Sequence, residues 1–97
     1  MLKLAKVNIN NSNTRTLLDL EIIPGTGEYI ILAVTPATSG NIGSLYYVRF
    51  SESTRKYTLA TIKEGESVYA PRITPTGIIR INESASFWTV TCIVFKC

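Results

Sequence analysis

The chain has no histidine, no glutamine and a single aspartate, Asp19. Without histidine it lacks the side chain that most often shuttles protons near neutral pH and ligates transition metals. Nowhere does it reach the roughly 18 consecutive apolar residues that a membrane-spanning helix needs. The segment Met1 to Asn13 interleaves Lys3 and Lys6 with apolar residues and then turns polar, so it lacks the apolar stretch of a secretory signal. The chain therefore reads as made in the cytosol and not exported by a signal peptide. Strong charge of one sign is missing too: ten cationic and seven anionic side chains give +3, and no block of like charges forms a tail. Cysteine is scarce. Cys92 and Cys97 lie five positions apart in one extended stretch, roughly 16 Å along the chain, whereas a disulfide needs Cα atoms within about 7 Å. Cys92 is expected as a buried thiol and Cys97 as a terminal one, with intermolecular pairing through Cys97 left open.

What is present fits a pleated sheet. Ile, Val and Thr occupy 30 of the 97 positions, and 45% of the chain is apolar. That length suits one domain over 1–97. Short apolar runs recur every 8 to 15 residues or so, separated by Gly, Pro, Asn or Ser, the spacing of a sandwich or barrel. They are Leu2 to Ile9, Thr16 to Ile23, Glu28 to Thr35, Ser44 to Ser51, Lys56 to Ile62, Ser67 to Ala70, Gly77 to Asn82 and Phe87 to Phe95. No helix is expected. The fold class is all-β, a single antiparallel β-sandwich of seven or eight strands, jelly-roll-like or immunoglobulin-like.

Turn chemistry sets the connections. Pro24-Gly25 pairs a fixed φ with a residue tolerant of positive φ, which predicts a hairpin between the second and third strands. Ser51 to Lys56 and Lys63 to Ser67 read as tight hairpins, and Pro36 to Gly43 and Pro71 to Gly77 as longer surface loops. Pro71 and Pro75 are expected to interrupt any ladder between them.

Alternation assigns faces. Leu18, Leu20 and Ile22 oppose Asp19 and Glu21. Tyr46, Val48 and Phe50 oppose Arg49. Trp88, Val90, Cys92 and Val94 oppose Thr89 and Thr91. These three apolar sets form the expected core. Two strands are apolar on both sides: Tyr29, Ile31 and Ala33 back onto Ile30, Leu32 and Val34, and Ile93 and Phe95 sit on the otherwise polar face of the last strand. One face of a sandwich sheet is normally wet, so the second cover is a loop, a neighbouring subunit or a partner. The candidate partner contacts are Tyr29, Ile31, Tyr47, Ile93 and Phe95.

The inventory for catalysis is thin. Asp19 and Glu21 project from one strand face about 7 Å apart, a separation compatible with a sugar-cleaving pair, but alternating charge on a solvated face explains them as well. Glu64 and Glu66 flank Gly65 without the clustered oxygen ligands of a calcium loop. Gly25-Thr26-Gly27 starts like a dinucleotide fingerprint, yet Ile30 stands at its third glycine and a strand follows. No catalytic, metal or cofactor residue is assigned, and the chain is not expected to be an enzyme. Tyr46, Tyr47, Arg49, Phe50, Arg55, Lys56 and Tyr57 interleave rings and cations as single-strand binders do. Alternation, however, sends Tyr46 and Phe50 inward, which disfavours nucleic acid. Sugar stacking would use Tyr29, Tyr47 or Tyr69.

Over its whole length the chain, with strands such as Gly27 to Thr35, Ser44 to Ser51 and Ser86-Phe87-Trp88-Thr89-Val90-Thr91-Cys92, resembles the small β-sandwich auxiliary or decoration proteins on the heads of tailed bacteriophages. Immunoglobulin-like domains also end in strands of that last kind. The resemblance implies a structural protein without an active site that cements or ornaments a shell, located in the virion after synthesis in the host cytoplasm. It implies capsid contacts through an apolar strand face or the N-terminal segment. The expected partner is protein, either the capsid lattice or the chain's own subunits, with homo-oligomerisation open and no membrane. The alternative is a carbohydrate- or receptor-binding β-sandwich module.

Overall fold

The computed structural model describes residues 2–10, 15–17, 22–37, 40–66, 70–80 and 89–97. Among them there is no helix, and so none long and apolar enough to cross a membrane. In chain order the strands are β1 (Leu2–Asn10), β2 (Arg15–Thr16), β3 (Gly27–Ala37), β4 (Gly40–Ser51), β5 (Lys56–Lys63), β6 (Arg72–Ile73), β7 (Ile78–Arg80) and β8 (Thr89–Lys96). One antiparallel sheet runs β1-β8-β3-β4-β5, and a small one runs β2-β7-β6.

The long strands obey period-two alternation, and the register brings their apolar parities together. Ile31 stands between Val94 of β8 and Tyr46 of β4, and Ala33 between Cys92 and Ser44. Val48 stands between Tyr29 and Leu59. These positions form the inner face, where Tyr29, Ile31, Ala33, Tyr46, Val48, Val90, Cys92 and Val94 are fully buried. From the small sheet and its flanks, Leu17, Ile22, Ile23, Ile73 and Ile79 join them in one cluster. Each such side chain contributes roughly 1.5–3 kcal/mol by leaving water. Phe50 closes one end of the cluster, with Tyr57 and Leu59 packed at its edge.

Polar links tie the two sheets. The Ile73 N–H donates to the buried Tyr46 hydroxyl at 3.0 Å, and the Tyr57 hydroxyl donates to the Thr76 carbonyl. The Gly65 N–H donates to Ser44 Oγ at 2.9 Å. Tyr29, buried on the inner face, donates its hydroxyl to the Gly25 carbonyl. Among the described residues no buried side-chain nitrogen or oxygen lacks a partner, as a folded interior requires.

Several connections differ from the turn-based expectations. Pro24-Gly25 does not close a hairpin: β3 is flanked by β8 and β4, so both its edges are occupied, while β2 pairs with β7. The bend instead carries the chain between the sheets, with Ile22 and Ile23 both buried before it. Pro36 to Gly43 is no long loop either, because the β3–β4 ladder continues through Pro36↔Asn41 to Ala37↔Gly40. Proline is tolerated there because the ladder to β8 has already ended at Val34. Between Pro71 and Pro75, Arg72 and Ile73 do form a ladder with β7, closed by a turn in which the Gly77 N–H donates to the Thr74 carbonyl at 2.8 Å. The segment after Lys63 leads from β5 to the small sheet, since β5 pairs with β4 and β6 with β7. Ser51 to Lys56 is the expected tight hairpin. β1 pairs with β8, so the expected run Leu2 to Ile9 is a strand of the domain's own main sheet. Leu18, Asp19, Leu20, Glu21, Tyr69 and Trp88 lie outside the described residues.

Candidate interaction face

The parity that does not enter the core faces outward, and on β3, β4 and β8 it too is apolar. Ile30 stands between Phe95 and Tyr47, and Leu32 stands between Ile93 and Leu45. Val34 continues the surface one row on, opposite Gly43. All the side chains of these rows on β3, β4 and β8 are half-buried, shielded by one another yet still open to solvent. The result is a continuous apolar strip across the outside of the main sheet. The large apolar side chain that stands out as exposed among the described residues is Ile62 on β5.

Of the five sequence-predicted contact residues, Tyr47, Ile93 and Phe95 come together on this strip. Tyr29 and Ile31 do not, because both are fully buried on the inner face. Alternation had paired each face of β3 correctly but does not say which one points inward. The β4 register decides it: Val48 and Phe50 are committed to the core by the exposed Arg49 between them, Tyr46 shares their parity, and Tyr46 and Val48 pair with Ile31 and Tyr29. Ile30, Leu32 and Leu45 thereby belong to the outer strip, and the signal for them was the second apolar parity of β3.

The strip has charged borders. Lys63 pairs in register with Leu45 at the β5 side. On the other side, the β1 register sets Lys3 across from Phe95 and Lys6 across from Ile93. At one end Glu28 lies across from Arg49. The Tyr47 hydroxyl donates to Glu28 Oε1, and this bond to a carboxylate, aided by the negative charge, raises the Tyr47 pKa above its usual value.

Near that end, an open groove of about 600 Å³ is lined by Thr26, Arg49, Ser51, Lys56 and Tyr57 among others. Its lining offers hydroxyls and cations, not a carboxylate or thiol. Beside it, the Arg55 guanidinium sits 5.8 Å above the Phe50 ring, a cation–π contact. Glu64 and Glu66 are each held by a cation, Arg72 at 3.1 Å and Lys63 at 3.8 Å, rather than converging on a common point. No group of three His, Cys, Asp or Glu side chains suited to a metal occurs among the described residues. Both cysteines are free. Cys97 is exposed, whereas burial pushes the Cys92 thiol up to about 12, which leaves it protonated and inert at neutral pH.

No protein-family model, no curated protein and no solved structure matches this chain.

Proposed function

We propose that the protein is a non-catalytic assembly component that docks on a protein surface through the outer strip of its main sheet. In this reading the two sheets are the halves of a small β-sandwich, and the resemblance to bacteriophage decoration proteins supplies the setting, a capsid lattice in the virion. The observation that carries it is the two-sided apolar character of β3 and β8. The core needs one parity of each strand, and Ile30, Leu32, Ile93 and Phe95 lie on the other. Contiguous apolar area on a sheet exterior marks an interaction surface more often than chance. Of the tyrosines the sequence offered for sugar stacking, Tyr29 is in the core and Tyr69 lies outside the described residues, so the carbohydrate-binding alternative would rest on Tyr47.

Co-sedimentation with large particles from a lysate of the natural source tests the reading. Wild type is expected at stoichiometric level in an ordered megadalton fraction, surviving washes, and Leu45→Lys or Ile93→Lys is expected to remain in the supernatant while still folded. A wild-type protein that stays small and soluble overturns the proposal. Binding to a glycan array that Tyr47→Ala abolishes would then establish the alternative.

A further inference from the structure

We infer that the free edge of β5 is a second interface, at which two copies of this chain pair β5 against β5, antiparallel, about a two-fold axis. The inference goes beyond the docking strip and does not depend on it. The main sheet ends at β5. Its ladder to β4 runs from Ser51↔Lys56 to Leu45↔Lys63, and its other side pairs with nothing among the described residues. The main-chain donors and acceptors along that side form a template for another strand. Charge or proline along an edge normally blocks such pairing. Here Lys56 and Lys63 stand at the two ends, and the six residues between them, Tyr57 to Ile62, include neither charge nor proline.

The core is open at the same edge. Ile31, Ala33, Tyr46 and Val48 on the inner faces of β3 and β4 are fully buried, whereas on β5 Tyr57 and Leu59 are only half-buried and Thr61 is exposed. Ile62 is 52% exposed beside them. A second copy suits this edge better than a lone extended peptide. A peptide completes the hydrogen bonds but leaves the inner side of Leu59 and Thr61 uncovered. A two-fold mate presents the same edge in return. The axis stands perpendicular to the shared sheet, so the mate brings its own small sheet to the same side and both layers continue across the joint. The antiparallel sense also keeps the two Lys56 side chains at opposite ends. Each lies toward the end of the partner strand where Glu64 and Glu66 follow Lys63. There Glu64 gives one oxygen, Oε1, to Arg72, and Glu66 is largely exposed at 3.8 Å from Lys63, so carboxylate oxygens remain for the incoming cation. A bilayer cannot complete the edge, because hydrocarbon offers nothing to unpaired main-chain groups. One strand pair buries less than the roughly 1,200 Å² of a standard interface, which makes the dimer a weak one.

Sedimentation equilibrium from about 1 µM to about 1 mM, the span over which a weak interface populates, tests the pairing. Reductant is present throughout, so that no disulfide forms through the exposed Cys97. Wild type is expected to show a monomer–dimer equilibrium. Ala60 is exposed near the middle of β5, close to its own mate across the axis. Ala60→Lys and Ala60→Glu each bring like charges together there and are expected to weaken the dimer about tenfold or more. An equimolar mixture of the two variants is expected to restore it as a heterodimer. Ile93→Lys, on the outer strip, is expected to leave the dimer intact while abolishing co-sedimentation with native particles, so failure of the pairing and failure of the docking role are read separately. A wild type that stays monomeric overturns the inference. So does a dimer that both Ala60 variants leave unchanged, a mixture that does not restore it, a dimer lost in Ile93→Lys, or association that continues past two copies. If an Ala60 variant folds poorly, hydrogen exchange on wild type decides. The amides of Tyr57 to Ile62 are expected to gain protection between the dilute and the concentrated sample, and no gain there overturns the pairing.

Discussion

Single atoms carry much of the organisation of this fold. The Tyr46 hydroxyl is the acceptor for a buried backbone N–H on the opposite sheet, so Tyr46→Phe keeps the ring and orphans the Ile73 donor. A loss of about 1–3 kcal/mol in urea denaturation is expected, with little change in the m-value. Gly77 has φ of +82°, and a Cβ there would lie 1.6 Å from the Tyr57 hydroxyl. Gly77→Ala therefore incurs both the left-handed backbone cost of about 1–2 kcal/mol and displacement of Tyr57 from Thr76. Gly77→Ala in a Tyr57→Phe background should recover part of the loss, which a double-mutant cycle measures. Cys92 links stability to alkaline pH. Its thiol ionises near 9.0 when unfolded and at about 12 when folded. Between those values the unfolded chain sheds a proton that the folded chain keeps, so stability from this group is complete below pH 9.0 and falls as pH rises, by up to about 1.4 kcal/mol per unit. Cys92→Val should flatten that slope, and at neutral pH a thiol reagent should modify Cys97 quickly and Cys92 only on unfolding.

At the scale of elements, the long strands were legible in the sequence, β7 fell within the expected run Gly77 to Asn82, and β6 was not legible. β1, β3, β4, β5 and β8 each carry five or more residues of alternation or continuous β-branched character, and each lies within two residues or so of its expected bounds apart from the ends extended by the β3–β4 hairpin. β6, with two residues between prolines, has no periodicity to read. It exists because Pro71 and Ile73 are buried under the main sheet and Arg72 pairs with Glu64. The Pro24-Gly25 signal named a turn correctly but not the strands on either side of it, because pairing is decided by which edges are free, a non-local property. The candidate site was half legible for the same reason: two apolar parities are visible along β3, but the inner one is chosen by its register with β4. Within the β4–β5 hairpin, Arg55 occupies positive φ, at 56°, which costs a residue with a Cβ about 1–2 kcal/mol. Arg55→Gly removes that strain and also the contact with Phe50, so thermal melting is expected to show a stability equal to wild type or higher by up to about 1 kcal/mol, whereas Arg55→Val should destabilise.

On the scale of the molecule, the central feature is a sheet that is apolar on both sides at its middle strands. The inner side is consumed by the core. Ile31→Ala is therefore expected to cost about 2–5 kcal/mol, while Leu32→Ala, one residue on, should cost clearly less in chemical denaturation and, under the proposed docking role, act mainly on binding. That contrast separates stability from binding within a single strand. The order of the strands has a further consequence, for the timing of synthesis. β8 lies between β1 and β3 although it is the last of them to be made. A ribosome adding about 5–20 residues per second leaves β1 without its ladder partner for several seconds, as an unpaired strand within reach of neighbouring nascent chains. Lys3 and Lys6, spaced along that strand, are the kind of charge that keeps a waiting edge from mispairing.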